Sequence, residues 1–502
     1  MEGGAAAWGF GDVMIVANSL APTATRRLRL GQYVGPTVVL CVLLFSAFVR
    51  DIPLHGSGGA LWRDEFVTMF DVQRQSWLCG YVLGYLLLFV IANWSSFPPR
   101  RVEFSQFKNF GPLNSLWLAN LLLIAMVGCF LIRYILQYTE AASGTDTLVF
   151  LVCAMLNQWL IWLIAGRRRD IVDETRKNFM TLFVVFGCVS LLMAMVNPQS
   201  NTIFHAQFRY HGSVRWSGIW KNPNIFGLLM SVALIFSIGR IWEAVKKQAF
   251  RSSVVWAILA IMTAASVIKS YSRGAWVAAV FGLVFFAWNS LDSKAMREAN
   301  PVTPSQPLRL KTLVVWGLRG FAVGFILVCV IKIAAGAQVP LVQRSLSAFN
   351  ERDFSSQNRL ASYQDGINML LDHSWLGYSW DDVIAIHNAL YLQSGLSTGE
   401  ALKLNDFLMF ALRFGVPIFA MFLLYLWVWL SAGKNEVRTT QCTDGDILLC
   451  RTATLMLAIG FLFTDGLFHL APGGAFWLFL TLSFDFAATV PGAKNALVQS
   501  AG

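Results

Sequence analysis

The feature that most constrains this chain is a recurrence of apolar stretches, each close to the length of a membrane span, separated by polar segments. A helix of about 20 residues crosses the hydrocarbon core of a bilayer, so each stretch is long enough to span a membrane. A hydropathy window of that length identifies about twelve of them. They lie at residues 33–50, 77–95, 112–132, 147–166, 178–197, 223–243, 252–269, 274–290, 312–336, 404–432, 449–466 and 472–490.

The composition excludes a soluble protein. Hydrophobic residues form 56% of the 502 residues and charged residues only 13%, whereas soluble domains carry about 25% charged residues. So large an apolar excess cannot be buried in one soluble core. We therefore predict an all-α integral membrane protein with about 12 transmembrane helices and large outer loops.

The net charge of +11 is distributed unevenly, in the alternating pattern that is typical of membrane proteins. Basic residues cluster on every second connection between the apolar stretches, at 26–29, 100–108, 167–177, 240–251 and 294–311. Because Lys and Arg accumulate on the cytoplasmic side of membrane proteins, both termini are predicted to be cytoplasmic. The positive charge therefore reflects topology, and we predict no nucleic-acid partner. The first apolar stretch is expected to be an uncleaved span.

This topology divides the chain into five segments. We predict a cytoplasmic N-terminal segment, a first block of nine spans that includes an outer loop at 198–222, a large outer loop, three further spans and a cytoplasmic tail. Their boundaries are 1–32, 33–336, 337–403, 404–490 and 491–502, respectively.

Polar residues gather on the outer side. All six histidines fall there or at an outer helix end, and the two larger outer loops and the short break at 269–273 retain cations that a positive-inside chain normally avoids. These cations are Arg209, Arg215, Lys221, Lys269, Arg273, Arg344, Arg352 and Arg359. The planar guanidinium binds phosphate oxygens in pairs, so the pattern indicates an anionic ligand such as a diphosphate. Lipid headgroups are the alternative ligand.

Two motifs stand at predicted outer helix ends. The first, RWSGIWKNPNIFG at 215–227, contains Asn222–Pro223–Asn224, a pattern typical of a tight turn before a helix. The free N–H groups of that helix start would help to bind an anion. The second, KSYSRGAW at 269–276, places Ser272 and Arg273 at another outer helix end.

The third motif runs through the large outer loop, from NRLASYQDGINMLLDHSWLGYSW at 358–380 to HNALYL at 387–392. Leu360, Tyr363, Ile367 and Leu370 recur at helical spacing, which predicts an amphipathic helix lying on the membrane with Arg359 in its first turn.

Together the three motifs resemble the O-antigen ligase and O-antigen polymerase superfamily of bacterial membrane glycosyltransferases. The matching positions are Arg215, Gly218, Asn222, Pro223 and Asn224, then Ser272, Arg273 and Gly274, then Arg359, Gly377, His387, Asn388, Tyr391 and Leu392. In that family the H-N segment runs directly into the next span, whereas here a polar stretch follows it. A second segment, LNDFL, has Leu404 where the family has histidine. We interpret His387 as the family histidine with an insertion behind it; the alternative is that the histidine is lost.

The resemblance implies a glycan donor carried on a polyprenyl diphosphate, undecaprenyl diphosphate, at the periplasmic face of the bacterial inner membrane. An acceptor hydroxyl attacks the anomeric carbon and the lipid diphosphate leaves. Arg215 and Arg273 would stabilise charge on the diphosphate, and His387 would accept the proton. The other candidate substrate-binding residues are Arg359, Asn222, Asn224, Ser272, Lys221, Asn388 and Tyr391.

A metal site is the rival explanation for histidines near carboxylates. The large outer loop contains Glu351, Asp353, Asp365, Asp372, Asp381, Asp382 and Glu400, but no H-x-x-x-H or D-x-D spacing. Members of the superfamily are thought to work without metal, so we predict no metal and no cofactor. Glu351 and Asp382 are the alternative bases.

The acceptor stays open: lipid A–core of lipopolysaccharide, the growing repeat-unit chain of a polysaccharide, or a protein, as in a protein O-oligosaccharyltransferase. Two other classes of function also stay open. A transporter or flippase for a lipid-linked or small anion predicts substrate-dependent flux and dispensable loop histidines. A non-catalytic scaffold predicts that His387 can be replaced without loss.

Overall fold

A computed structural model of the protein describes residues 115–136, 169–196, 207–210, 213–220, 222–291, 354–378, 383–387, 404–436, 444–464, 466–467 and 470–483. These residues are mostly helical, as predicted. The predicted spans at 33–50, 77–95, 147–166 and 312–336 lie outside the described residues, so the count of about 12 spans stays a prediction.

The helices are numbered in chain order. They are α1 (Ser115–Leu136), α2 (Arg169–Val196), α3 (Pro223–Lys246), α4 (Phe250–Lys269), α5 (Arg273–Leu291), α6 (Phe354–Asp372), α7 (Val383–Ile386), α8 (Asp406–Glu436), α9 (Asp444–Phe461) and α10 (Leu470–Leu482). Short turns join some consecutive helices, such as α3 to α4 and α4 to α5. An antiparallel hairpin of two short strands, β1 (Gln207–Tyr210) and β2 (Ser213–Trp216), precedes α3 and departs from the all-α prediction.

Three of the described helices are long and apolar enough to cross a membrane: Pro223–Val245 of α3, α4, and Asp406–Leu430 of α8. The central helix is α3, which is mostly buried and packs against α2, α4, α5 and α9. In contrast, α4 exposes large apolar side chains along one face, including Val255, Ile258 and Ile261. A continuous exposed apolar face of this kind is typical of a surface that contacts lipid.

Helices α3, α4 and α5 run in alternating directions, as do α8, α9 and α10, so the bundle has two distinct ends. At the end that we call the upper end, Gly227 near the start of α3 lies against Ser270 after α4, and Gly274 in α5 lies against Phe463 after α9. At the lower end, Arg240 near the end of α3 pairs with Asp446 at the start of α9, with Nη1 3.2 Å from Oδ1. All three sequence motifs begin or end helices at the upper end.

Aromatic side chains fill the interior between the helices. Phe183, Phe236 and Phe479 make edge-to-face contacts that join α2, α3 and α10. A second group, Phe130 and Phe414, joins α1 to α8 with ring centroids 4.4 Å apart. Such pairs contribute about 0.5–1.5 kcal/mol each beyond the burial of their apolar area.

Helix α8, which is long and apolar enough to cross a membrane, is broken at Gly415, whose φ of 79° and ψ of 163° are not helical. Pro417 follows and supplies no N–H for the helix. The turn after α6 replaces part of the missing pairing: Val416 N donates to Ser374 O at 2.8 Å, and Tyr378 N donates to Leu412 O at 2.7 Å. Backbone groups at membrane depth must be paired within the protein, and these two bonds would meet that need if α8 crosses a membrane.

The amphipathic helix predicted in the large loop is present as α6, but its apolar residues divide between two faces. Leu360 is 70% exposed and Ile367 is 51% exposed, whereas Tyr363 and Leu370 pack on a buried cluster formed with α8. Arg359 lies in the second turn of α6, because the helix begins at Phe354 and not immediately before Arg359 as predicted.

Candidate functional site

The start of α3 forms the first part of the candidate site. Asn222 caps the helix: its Oδ1 accepts from the backbone N–H groups of Asn224, at 2.9 Å, and Ile225, at 3.4 Å. Pro223 occupies the first helical position, where an N–H is not needed. The predicted turn before a helix is therefore confirmed. However, two of the N–H groups expected to bind an anion are bonded to Asn222 instead.

Arg215 joins the first motif to the second. It lies on β2 opposite Phe208 and is buried, with 7% of its surface exposed. Its Nε donates to Ser270 O at 2.9 Å, and its Nη2 donates to Asn224 Oδ1 at 3.0 Å and to Tyr271 O at 3.4 Å. These three acceptors are neutral oxygens, so the bonds to them orient the guanidinium without cancelling its charge.

The second motif forms the tight turn between α4 and α5. Ser270 Oγ donates to Val267 O at 2.7 Å and accepts from Ser272 N at 3.2 Å. Ser272 Oγ in turn accepts from Ala275 N at 3.4 Å, which caps α5. Arg273 is the first residue of α5 and is partly buried. Ser272 therefore serves the helix start, and Arg273 is placed beside the positive end of that helix.

Two glycines of these motifs allow close packing around the turn. Gly218 has a φ of +55°, which favours glycine, and a side chain there would collide with Ser190 of α2. A Cβ on Gly274 would lie 2.7 Å from Phe463 Cβ. Both positions match the superfamily pattern, and the structure gives each a steric reason.

The third motif places His387 directly after the short helix α7. His387 is 3% exposed, and its Nε2 lies 2.9 Å from Oδ2 of Asp365 on α6. From the sequence, Asp365 is only a possible metal ligand. Asp365 and His387 are 22 positions apart, and no spacing rule connects a helix residue to a loop residue at that distance. Asp365 is the functional candidate that sequence reasoning missed.

The second H-N-like segment, LNDFL, has a structural role at the start of α8. Leu404 is buried in a cluster with Met369, Val383 and Leu412. Ile386, the residue before His387, packs on the same cluster. The residue before His387 thus packs on the same cluster as Leu404, which stands where the family has histidine.

Asn405 and Asp406 of the same segment fix the start of α8. Asn405 Oδ1 accepts from Leu408 N at 2.8 Å. Asp406, which is 1% exposed, accepts from Gly466 N at 2.6 Å and Leu467 N at 2.7 Å. The loop that contains Phe463, packed on Gly274, is thus bonded to the start of α8, and it links the second motif to the third.

Gly377 of the third motif is explained by the break in α8. Its φ is +61°, and a Cβ there would lie 2.7 Å from Gly415 N. Only glycine fits so close to another backbone in that conformation.

The structure thus brings the first and second motifs into direct contact and links the third to them at the same end of the bundle. Several predicted binding groups cannot be placed: Lys221, Asn388 and Tyr391 lie outside the described residues, as does the side chain of Arg359. Among the described residues, no three His, Cys, Asp or Glu side chains are grouped closely enough to hold a metal ion. Independence of metal stays a prediction.

Residues 257–423 match the protein-family model described as O-antigen ligase. The match begins in α4 and ends in α8, so it includes the second and third motifs. The first motif precedes it and is bonded to it through Arg215 and Ser270. The resemblance to the O-antigen ligase and polymerase superfamily is confirmed. No curated protein matches the chain.

Proposed function

We propose that this chain, a member of the O-antigen ligase and polymerase superfamily through residues 257–423, is a glycosyltransferase of the bacterial inner membrane. It moves a glycan from undecaprenyl diphosphate to an acceptor hydroxyl at the periplasmic face, without metal. The observation that carries the proposal is the contact between Arg215 and the turn that precedes Arg273, which places two cations beside two helix starts.

The orientation is supported by the distribution of arginines at the lower end. Arg176, Arg240 and Arg451 are buried there, and Lys177, Lys247 and Arg251 are exposed nearby. Cations accumulate on the cytoplasmic side of membrane proteins. We therefore assign the lower end to the cytoplasm and the upper end, with the candidate site, to the periplasm, so that both termini are cytoplasmic.

The first task of the site is to stabilise the leaving diphosphate. As the bond from the anomeric carbon to the diphosphate oxygen breaks, its electron pair adds negative charge to that oxygen. Arg215 is held by three hydrogen bonds and Arg273 begins α5, so both are positioned before the charge develops. Fixed cations in a site that excludes water are effective because they need no reorganisation. Arg359 and Lys221 would add charge from the adjoining loops.

The second task is to remove the proton of the acceptor hydroxyl. The hydroxyl oxygen forms the new bond to the anomeric carbon, and its proton passes to the pair formed by His387 and Asp365. A general base must reach the proton that it takes, directly or through one water. Asn222, Asn224, Ser272, Asn388 and Tyr391 would hold the sugar hydroxyls. The acceptor is lipid A–core, a growing glycan or a protein.

Reconstitution tests this proposal directly. The purified protein in lipid nanodiscs is incubated with an undecaprenyl diphosphate glycan and each acceptor class, and the products are identified by mass spectrometry. We expect a transferred glycan and released undecaprenyl diphosphate with one class. Movement of the intact donor across liposomes without any bond cleavage would instead identify a flippase, and the absence of both would leave the scaffold function.

A further inference from the structure

The two members of the pair at the upper end differ in their access to a substrate. The side chain of His387 is 3% exposed, whereas that of Asp365 is 31% exposed. A general base has to approach the hydroxyl proton to within hydrogen-bond distance. Asp365 offers an exposed surface for that approach, and His387 offers almost none. The accessible member of the pair is therefore the carboxylate.

We propose that Asp365 is the catalytic base of the transfer step and that His387 is the positioning residue behind it. The inference rests on the glycosyltransferase activity proposed above. As a base Asp365 acts in its ionised form, and an ionised carboxylate only accepts hydrogen bonds. In that form the hydrogen bond between the two side chains runs from the Nε2–H of His387 to Oδ2 of Asp365. Oδ1, the other oxygen of the carboxylate, would take the proton of the acceptor hydroxyl.

A carboxylate is a sufficient base for this reaction. In glycosyl transfer the bond to the leaving group breaks early and the sugar becomes an oxocarbenium-like cation, so inverting glycosidases activate their nucleophile with Asp or Glu. In the step proposed here the acceptor O–H bond breaks and its proton goes to Asp365 Oδ1. The oxygen bonds to the anomeric carbon, and the electron pair of the broken C–O bond leaves with the diphosphate.

The packing around the pair holds the carboxylate in place. Gly366, the next residue of α6, approaches α8 so closely that a Cβ there would lie 3.0 Å from Leu408 Cδ2. Tyr378 Oη donates to Met369 O at 3.2 Å and fastens the end of α6 to the following turn. Val383 and Ile386 of α7 pack on the same cluster and bring His387 to Asp365. Accurate positioning of a catalytic group contributes a large part of the rate acceleration that the group provides.

The test compares variants that separate the two roles. Single-turnover rate and donor affinity are measured for Asp365→Asn, His387→Gln and His387→Ala, with Asp372→Asn as the matched control on the same face of α6, two turns further along. Asn cannot accept the proton, so Asp365→Asn should lose about 10²- to 10⁴-fold in rate with donor affinity unchanged. Gln keeps an N–H donor close to the position of Nε2, so His387→Gln should retain much more activity than His387→Ala.

Three results would overturn this assignment. If His387→Gln is as inactive as His387→Ala while Asp365→Asn keeps most of its rate, His387 is the base. If Asp365→Asn weakens donor binding in proportion to its rate, Asp365 is a binding or structural residue. If Asp372→Asn loses as much rate as Asp365→Asn, the effect is not specific to the pair. A wild-type protein that makes no product with any acceptor refutes the proposed function itself and is distinguishable from all three.

Discussion

The arginines at the two ends of the bundle have different partners. At the lower end, Arg176 Nε donates to Leu482 O at the end of α10, and its Nη1 lies 2.6 Å from Asp173 Oδ1. Arg240 bonds to two carboxylates, those of Glu243 and Asp446. Cations beside helix C-termini and carboxylates are favourably placed. The role of these arginines is therefore structural: they stabilise the contacts between helices.

At the upper end the arginines stand beside helix starts. Arg273 is the first residue of α5, and Arg215 bonds to Asn224 in the first turn of α3. The start of a helix carries partial positive charge, so a cation there is unfavourable by about 0.3–1 kcal/mol while an anion is favourable. A departure from the usual charge rule is typical of a functional site. Arg215 and Arg273 thus lie beside helix starts, whereas the buried Arg176 and Arg240 meet carboxylates.

The largest expected difference between the two ends is their exposure to opposite sides of the membrane. In a protein whose native cysteines are replaced by Ser, Gln364→Cys on α6 should react with a membrane-impermeant maleimide added to the periplasmic side. Gln248→Cys, between α3 and α4, should react only after the membrane is permeabilised. Both side chains are exposed. The reverse pattern would exclude the periplasmic site and the mechanism built on it.

At the lower end, removal of a buried arginine should reduce stability and leave chemistry intact. Arg176 is 1% exposed, and Arg176→Ala leaves Asp173 without this partner. Breaking a buried pair costs about 3–5 kcal/mol, so thermal unfolding in detergent should occur at a much lower temperature. Transfer per folded molecule should be normal. Lys177→Ala, which removes an exposed neighbour, is the control. A stable but inactive Arg176→Ala protein would contradict the comparison.

At the upper end, the reverse outcome is expected for Arg273→Lys. Lysine keeps the charge but cannot bind two phosphate oxygens with a planar fork. The transition state should lose about 2–4 kcal/mol of stabilisation, seen as a fall in kcat with little change in Tm. Arg251→Lys, at an exposed lower-end position, should have no effect. Arg215→Lys should impair transfer as strongly and also lower Tm, since Arg215 holds the turn after α4. Near-normal turnover in both upper-end variants would show that Arg215 and Arg273 do not bind the diphosphate.

The smallest effect is expected at Asn222, which caps α3 and is also a candidate substrate-binding residue. Loss of a helix cap costs about 1 kcal/mol, so Asn222→Ala should lower Tm slightly. If the cap is its main role, donor affinity should be preserved. A marked loss of donor affinity with an unchanged Tm would instead establish Asn222 as a ligand-binding residue. Ser272→Ala, which removes the cap of α5, is the matched comparison.

Local features of the site were predictable from the sequence. The turn at Asn222 and Pro223 follows from the short-range chemistry of helix starts. The hairpin of α4 and α5 follows from two apolar stretches separated by KSYSRG. Both are confirmed because the groups that determine them are neighbours in the chain.

Contacts between distant segments were not predictable. Arg215 and Ser270 are 55 positions apart, and β1 and β2 are too short to stand out beside the spans. The apolar spacing of α6 identified a helix but assigned Leu360 and Tyr363 to the same face. The structure separates them, because the neighbouring α8 covers only part of that face. The pair of Asp365 and His387 depends on how α7 folds back, which no single-sequence pattern encodes.

The break at Gly415 bears on how the protein is made. Two backbone groups of α8, Val416 N and Leu412 O, take their partners from residues 374 and 378, which are synthesised earlier. The turn at residues 374–378 is therefore synthesised before α8, whose backbone groups it pairs. While α8 passes into lipid alone, those groups are unpaired at a cost of several kcal/mol. Insertion of α8 and docking of the turn after α6 should consequently occur as one event during biogenesis, with the turn acting as an internal assembly factor for the span.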